Sequence, residues 1–324
     1  MKKISILTPF ARAARLVATM AVLLAPMVAS AQLNIGVTLH PYYSFVTNIV
    51  QDRADVVPLI EAGYNPHGYT PQAADMKRAI ELDVAVVNGI GHDEWAFEIL
   101  AAAGRDDDLP KIYANDAVAL MPVSGKDQSV NAHTFISTTA AIAQVYQIAK
   151  DLGALDPDNS DFYRSNARTY ATHLRRIKAE YMPAIAALDS SNFRAATMHG
   201  AYGYLMQEFG LQISAVVEPR HGVEPTARQL ADTIEEIKAT GVNVLFAEQY
   251  FASKLADTIE NETGVRIFSF SHISDGEYSA DHFEIDMRRN IEELLSALEY
   301  SAALKQNRQP NEHSTDMPLQ ETES

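Results

Sequence analysis

Four histidines carry the most distinctive chemistry in this sequence. His67 lies in a loop after the second predicted strand, His133 lies just before a predicted helix, and His199 and His272 each directly follow a later strand. Neutral imidazole suits Zn²⁺, Cu²⁺ or Ni²⁺, whereas Mg²⁺, Ca²⁺ and Mn²⁺ prefer oxygen ligands. The four side chains are therefore a candidate transition-metal site, although their spacing alone leaves open whether they share one ion.

Alternating apolar runs and helical patterns predict the scaffold that positions these histidines. In the first half, strands at 33–37, 56–60, 84–88 and 111–113 alternate with helices at 43–50, 72–82, 94–103 and 135–152. In the second half, strands at 193–198, 213–217, 242–247 and 265–270 alternate with helices at 201–209, 226–240, 252–263 and 286–304. This order predicts parallel sheets in two Rossmann-like α/β lobes. Ligands of such sheets collect beyond the carboxyl ends of the strands, so we expect the metal in the cleft between the lobes.

One long rigid helix, residues 158–188, is predicted to join the lobes. It would extend over roughly 45 Å at ~1.5 Å per residue. Asn159 or Ser160 can cap its start, and Pro183 predicts a kink or a stop near Met182. Its apolar stripe repeats every three or four residues, at Tyr163, Ala167, Tyr170, Leu174, Ile177, Tyr181, Ile185 and Leu188.

The two ends of the chain have other compositions. Residues 1–31 combine four basic residues, an apolar run and a closing Ala29-Ser30-Ala31, which indicates a secretory signal peptide. Residues 305–324 are polar, contain two prolines and have no apolar period, so they are predicted to be a disordered tail. The predicted domains are therefore a first lobe at 32–157, the linking helix at 158–188 and a second lobe at 189–304.

Composition limits the partners and the compartment. The sequence has no cysteine, which excludes disulfides and a lipid anchor on an N-terminal cysteine, so we expect a free monomer in the periplasm. After removal of residues 1–31 the chain has 22 basic and 42 acidic residues, a formal net charge of −20. Nucleic acid and anionic membrane surfaces are poor partners for such a protein, and cations are mildly favoured.

Other candidate residues receive more ordinary interpretations. His40 follows a strand and could line the cleft without binding the ion, and His92 is expected at the surface. Glu248 ends a strand and could orient a ligand histidine, or could pack the lobes or cap a loop. Trp95 is expected in the core. The remaining histidines are expected to be solvated. His173 falls outside the apolar stripe of the long helix, and the others lie in polar surroundings: His221, His282 and His313.

Several motifs resemble those of a known family, the periplasmic zinc- and manganese-binding proteins of ABC importers. Asn65-Pro66-His67-Gly68-Tyr69 is similar to the family's D-P-H-x-Y, and His199-Gly200-Ala201-Tyr202-Gly203-Tyr204 to H-x-A-F-x-Y. Asn88-Gly89 before Glu94-Trp95 is similar to N-G-x-x-x-E-x-W. The likeness runs from residue 34 to about residue 298, and Glu224-Pro225, Glu248 and the tyrosines of the linking helix also fit.

The resemblance implies a metal between two lobes, delivery of that metal to a membrane permease, and ligands at His67, His133 and His199. Asn131-Ala132-His133 departs from the family's N-P-H-x-W. The fourth ligand is expected at His272, with Asp275 as the alternative, because the family commonly has an aspartate after the last strand. The histidine-rich acidic loop of many zinc-type members is missing, so capture from a zinc chaperone or directly from solution stays open.

The prediction is a periplasmic protein that captures Zn²⁺ for an ABC importer, and it has three alternatives. A manganese-specific protein of the same family is the first. A secreted zinc metallohydrolase is disfavoured because H-E-x-x-H and Gly-x-Ser-x-Gly are absent and four protein ligands would exclude water. A surface adhesin of the same fold would need an anchor. We therefore predict a binding protein that is not an enzyme, with Zn²⁺ as its cargo.

Overall fold

The structure is a computed structural model that describes residues 32–123, 129–217, 226–248 and 253–308. The chain from Leu33 onward forms one compact unit. Several features predicted above lie outside the described residues: the signal peptide, His221, the Glu224-Pro225 motif, His313 and most of the predicted tail. Within the described part, no helix is both long and apolar enough to span a bilayer.

The first lobe is a four-stranded parallel sheet covered by helices. Its elements, in chain order, are β1 (Leu33–Val37), α1 (His40–Val50), β2 (Ala54–Pro58), α2 (Ala73–Ile80), β3 (Val84–Val87), α3 (Glu94–Ala102), β4 (Lys111–Tyr113) and α4 (Thr138–Leu155). The strand order is β2-β1-β3-β4, so the direction of winding reverses between β1 and β3. A crevice at the carboxyl ends of the strands follows from that reversal.

The second lobe repeats this architecture. It contains β5 (Ala195–Thr197), α6 (Gly203–Glu208), β6 (Ile213–Val216), α7 (Ala227–Thr240), β7 (Val244–Glu248), α8 (Ser253–Thr263), β8 (Arg266–Phe270) and α9 (His282–Arg308). The strand order β6-β5-β7-β8 is again fully parallel, with its reversal between β5 and β7. The predicted class of two parallel-sheet α/β lobes is confirmed, whereas the boundaries drawn between the lobes and the linking helix stay predictions.

The linking helix α5 comprises Ser160–Ala187, 28 residues. It passes through Pro183 without a break, so the stop considered near Met182 does not occur. Asn159 occupies the N-cap position but its side chain makes no capping hydrogen bond. The predicted stripe is buried along most of its length, at Tyr163, Ala167, Tyr170, Leu174, Ile177 and Ile185.

One hydrophobic core runs through both lobes. The same cluster contains Ile35 of β1, Tyr170 of α5, Val244 of β7 and Phe283 of α9, all of them buried. The first sheet, the linking helix and the second lobe therefore share apolar contacts. Burial of apolar surface stabilises the folded state by roughly 25 cal/mol for each Å² removed from water. The lobes hold the carboxyl ends of their strands in a fixed relation because they are packed on a common core.

Glu208 joins three helices, α4, α5 and α6. At the end of α6, its carboxylate accepts hydrogen bonds from the Ser137 hydroxyl at 2.9 Å and from the Thr138 backbone N–H at 2.9 Å. The same carboxylate lies 3.2 Å from the ammonium of Lys178 on α5. An acidic group at the start of α4 also offsets the partial positive charge of that helix end. Glu208, a residue of the second lobe, thus binds both α4 of the first lobe and the linking helix α5.

The predicted tail begins too early. Residues 305–308 continue α9, because the Lys305 ammonium binds the Asp189 carboxylate at 2.5 Å and the Ser191 hydroxyl at 2.8 Å. Asp189 and Ser191 lie far from Lys305 in the sequence. The apolar period of the helix itself ends before Lys305, which is why the pattern predicted an earlier end.

Candidate metal centre

The backbones at His67 and His133 are held by the same type of local hydrogen bond. Each has an asparagine two residues earlier, and the asparagine carboxamide oxygen accepts the backbone N–H of the histidine. The distances are 2.9 Å for Asn65 and His67, and 3.0 Å for Asn131 and His133. Such Asx turns fix the backbone locally, so the two loops present their imidazoles with little dependence on distant packing.

His199 and His272 come from the second lobe. His199 lies two residues after the end of β5, and His272 follows β8 in a loop that is fastened to α9. Asn290 both donates to the Ser271 carbonyl at 2.9 Å and accepts the Ser271 N–H at 2.7 Å. Ile273 has a φ of 61°, which is rare for a β-branched residue, so the surrounding contacts must hold this turn.

The four Nε2 atoms converge. His67 Nε2 lies 3.1 Å from His272 Nε2 and 3.4 Å from His133 Nε2, and His199 Nε2 lies 3.0 Å from His133 Nε2. Four nitrogens about 2.05 Å from a tetrahedral Zn²⁺ would be about 3.3 Å apart. The spacing therefore matches a shared ion, and the two lobes contribute two imidazoles each.

The Nδ1 atoms of His133 and His272 contact neighbouring polar side chains. His133 Nδ1 donates to the Asn131 carboxamide oxygen at 2.8 Å, which leaves Nε2 with a lone pair for a metal. His272 Nδ1 lies 2.6 Å from the Ser274 hydroxyl. Burial, and then the charges of the neighbouring histidines, hold the pKa of His272 well below its ordinary value. His272 is thus a neutral donor at neutral pH.

Asn131 also ties the two lobes together beside the site. Its side-chain N–H donates to the Gly200 carbonyl at 2.8 Å, next to His199. The Tyr204 hydroxyl of α6 donates to the Asn131 carbonyl at 2.9 Å and accepts the Met121 N–H at 2.8 Å. The residue that orients His133 therefore also fixes the loop that carries His199.

His92 was predicted at the surface, and that prediction is wrong. Its side chain is only 3% exposed, and its ring centre lies 4.2 Å from that of His67 and 5.0 Å from that of His133. Gly89 and Gly91 have φ values of 70° and 112°, which let the loop after β3 turn back and point His92 inward. A histidine at the end of a strand, after two glycines, was the signal for this position.

The donor atoms form two overlapping groups among the described residues. His67, His92, His133 and His272 make one group, in which the potential ligand atoms all lie within 4.8 Å of one another. His199, Glu248 and His272 make the other group under the same limit. Glu248 thus stands beside the imidazoles themselves, and Asp275 belongs to neither group.

A cavity of about 460 Å³ adjoins the second group. Its walls include Glu248, His272, Asp275 and the loop residues Tyr64 and Asn65. Burial, together with the charge of Asp286, raises the pKa of Asp275 above its ordinary value. The cavity therefore borders the His272 imidazole and the Glu248 carboxylate.

Other histidines have different environments. His40 is buried but joins neither donor group: its Nε2–H donates to the Gly276 carbonyl at 3.0 Å and its ring stacks on Tyr278 at 3.9 Å. His282, predicted to be solvated, is half-buried and lies 3.5 Å from the Asp286 carboxylate. His173 is exposed on α5, and Trp95 is 6% exposed in the core, as predicted.

The chain is similar to known proteins over most of its length. A family model described as "zinc-uptake complex component A periplasmic" matches residues 35–297. The high-affinity zinc uptake system protein ZnuA of Bacillus subtilis is 26% identical over 283 residues, 82% of this chain and 88% of that protein. The zinc-binding protein AdcA of Streptococcus pyogenes serotype M1 is 24% identical over 293 residues, 83% of this chain and 56% of AdcA. The chain therefore spans about half the length of AdcA.

Solved structures agree with this likeness. The SBP FpvC of Pseudomonas aeruginosa, solved in complex with Mn²⁺, is 49% identical, with a TM-score of 0.79, and the match covers 83% of this chain and 99% of FpvC. A second FpvC structure, in complex with a Ni²⁺ ion, is 48% identical with the same TM-score. A crystal structure of ZnuA is 23% identical, with a TM-score of 0.68 over 82% of this chain and 98% of that one, a likeness of fold alone.

Proposed function

Because the chain belongs to the family of zinc-uptake complex component A, we propose that it is a substrate-binding protein that captures Zn²⁺ and delivers it to an ABC importer. Proteins of this family work with a membrane permease and an ATPase. The zinc-binding descriptions of ZnuA and AdcA support zinc as the cargo. The convergence of four Nε2 atoms from two lobes is the observation that carries the proposal.

The proposed ligands are His67, His133, His199 and His272. The Nε2 distances support this set, and so do the hydrogen bonds that direct Nδ1 of His133 and His272 away from the centre. Between His272 and Asp275 we assign the fourth position to His272, because its Nε2 lies 3.1 Å from that of His67. His92 is added as a fifth imidazole within reach of the ion.

A second candidate cargo is a first-row ion that takes six ligands. Five imidazoles and the Glu248 carboxylate supply six donors, and FpvC has been solved with both Mn²⁺ and Ni²⁺. Imidazole-rich sites favour Ni²⁺ over Mn²⁺ by the usual order of affinities, so Ni²⁺ would compete with Zn²⁺ better than Mn²⁺ does.

The same geometry argues against catalysis. The family is one of substrate-binding proteins, and four or five protein nitrogens around the ion leave no open position for water. We further propose that the protein acts in the periplasm as a monomer and meets the permease there. Its metal comes from a chaperone or from solution.

Calorimetric titration of the chelator-treated protein tests this function. Imidazole must be neutral to bind a metal, so binding releases protons and weakens as the pH falls. We expect one tight Zn²⁺ per chain at pH 7.5, little binding at pH 5, and displacement of Zn²⁺ by Ni²⁺ at lower excess than by Mn²⁺. A parent protein with no tight site, or with equal affinity at both pH values, would contradict the proposal.

A further inference from the structure

Two short segments of the first lobe, residues 121–123 and 129–131, pair with each other between β4 and α4. An antiparallel bridge joins them, and the Asn131 N–H donates to the Met121 carbonyl at 2.8 Å. We infer that Tyr204 is a positioning residue of the metal centre, because its hydroxyl holds these paired segments on the second lobe. This inference rests on the proposed function, and it adds the contact that sets how long the ion is retained.

The Tyr204 hydroxyl bridges both paired segments. It accepts the Met121 N–H at 2.8 Å and donates to the Asn131 carbonyl at 2.9 Å, so its capacity as donor and as acceptor is used. Tyr204 belongs to α6 of the second lobe, and its side chain is only 5% exposed. Burial raises the pKa of Tyr204 above its ordinary value, so the hydroxyl keeps the proton that it donates. One hydroxyl group thus joins both segments to the other lobe.

Asn131 transmits this contact to the proposed ligands. Its carboxamide oxygen accepts from the N–H and from the Nδ1 of His133, at 3.0 and 2.8 Å. Its carboxamide N–H donates to the carbonyl of Gly200, next to His199, at 2.8 Å. If the Asn131 backbone were released by Tyr204, the same carboxamide could no longer orient His133 and hold Gly200 together.

The paired segments lie directly on the first turn of α6. A Cβ atom at Gly203 would be 3.5 Å from the Asn131 Nδ2 and 3.5 Å from the Met121 methyl carbon. The contacts at Gly200, Gly203 and Tyr204 all come from residues 199–204. One short stretch of the second lobe therefore supplies a proposed ligand and also holds the first-lobe loop that carries another.

Release of Zn²⁺ from the loaded protein into excess chelator, followed by stopped flow, tests this role. Tyr204→Phe keeps the ring and removes both hydrogen bonds, so we expect the dissociation rate to rise about tenfold, as for loss of a partner that orients a ligand. Tyr163→Phe is the matched control, because Tyr163 is also buried and its hydroxyl lies 2.6 Å from the Asp156 carboxylate, away from the histidines. The control should release Zn²⁺ at the rate of the parent.

A double-mutant cycle separates positioning from a general loss of stability. Asn131→Ala removes the carboxamide that contacts His133 and Gly200, so the exact position of residue 131 then matters little to the ion. We therefore expect Tyr204→Phe to change the dissociation rate by less than about twofold in the Asn131→Ala background. A residue that acted only through stability would have the same effect in both backgrounds.

Hydrogen exchange of the Met121 amide measures the same coupling in the parent protein. Coupling between two sites is reciprocal, so an ion that is held better with the Tyr204 contact in place must also strengthen that contact. We expect loading with Zn²⁺ to slow exchange of the Met121 N–H, which donates to Tyr204. This measurement needs no substitution, so it stays decisive even if a variant folds poorly.

Three results would overturn the inference. The first is release of Zn²⁺ from Tyr204→Phe at the rate of the parent and of Tyr163→Phe. The second is an equal effect of Tyr204→Phe with and without the Asn131 carboxamide, and the third is exchange of the Met121 amide that Zn²⁺ does not alter. Failure of the parent to bind Zn²⁺ would instead refute the proposed function, so the two failures are distinguishable.

Discussion

At the scale of single residues, short-range hydrogen bonds orient the histidines proposed as ligands. Asn65 and Asn131 each accept the backbone N–H of the histidine two positions later. Asn131 also accepts from His133 Nδ1, and Ser274 contacts His272 Nδ1. These partners lie within two residues of the ligand, so much of the orientation is encoded locally. Loss of such a partner commonly costs 10- to 100-fold in metal affinity.

The choice between His272 and Asp275 gives a prediction for single substitutions. His272→Ala removes a donor whose Nε2 lies 3.1 Å from that of His67, so we expect Zn²⁺ affinity to fall at least tenfold, or ~1.4 kcal/mol. Asp275→Ala alters a cavity wall outside both donor groups and should keep affinity within about threefold of the parent. Competition titration against a zinc chelator measures both variants. Loss of zinc in Asp275→Ala with full affinity in His272→Ala would identify the aspartate as the fourth ligand.

The sequence indicated most of the candidate site, but not all of it. His67, His133, His199 and His272 follow strands or precede a helix, and the parallel topology brings such positions to one edge. His92 was misjudged because its inward direction depends on left-handed glycines at 89 and 91, which no apolar pattern reveals. Glu248 was predicted either to orient a ligand histidine or to pack the lobes or cap a loop. Its place within 4.8 Å of two imidazole nitrogens is a three-dimensional fact.

At the scale of elements, one face of α1 fastens the loop that follows His272. His40, Ser44 and Asn48 recur every four residues and donate to the carbonyls of Gly276, Ser279 and Ala280, at 3.0, 2.9 and 2.8 Å. Residues four apart lie on the same side of a helix, so this first-lobe face holds a second-lobe segment. The loop between β8 and α9 is thus fixed at both ends, by α1 and by Asn290.

His40 makes this contact sensitive to acid. Burial lowers the pKa of His40 from 6.5 to about 4, against the raising effect of the Gly276 hydrogen bond, and the charge of His282 lowers it further. A folded-state pKa below the unfolded one means that stability is full above about pH 6.5 and is lost as the pH falls toward 4. The loss from this residue can approach roughly 3 kcal/mol.

His40→Gln tests that linkage. Glutamine can still donate to the Gly276 carbonyl but does not titrate, so the variant should lose less stability than the parent between pH 7 and pH 4. Denaturant unfolding in the presence of a metal chelator measures the free energy at each pH. Ser44→Ala, which removes the neighbouring hydrogen bond and no titrating group, should follow the parent's pH dependence. Parallel curves for the parent and His40→Gln would show that His40 does not carry the effect.

Helices and strands were predicted well wherever local pattern decides them. β1 and β4 have the predicted bounds, and most other elements differ by only a few residues because apolar runs end at glycine, proline or a polar cluster. The ends of α9 were missed on both sides. Its last residues depend on the contacts of Lys305 with Asp189 and Ser191, which lie more than a hundred residues away in the chain.

At the scale of the whole molecule, the site depends on two lobes that share a core. One hydrophobic cluster runs from the first sheet through α5 to α9, and it contains Ile35, Tyr170, Val244 and Phe283. Glu208 also connects α4 to the linking helix α5. Repeated strand and helix patterns in the sequence predicted two lobes and a linking helix. The sequence could not show that their cores merge, because that depends on which faces meet in space.

Thermal unfolding with and without Zn²⁺ is the most direct test of a shared ion between the lobes. A metal that binds only the folded protein should stabilise the parent by ~4 kcal/mol at a thousandfold excess over the dissociation constant. His67→Ala should lose most of that shift in melting temperature, whereas His173→Ala, an exposed histidine on α5, should keep it. If His67→Ala melts with Zn²⁺ at the same temperature as the parent and His173→Ala, the ion is not held by the histidines of the cleft.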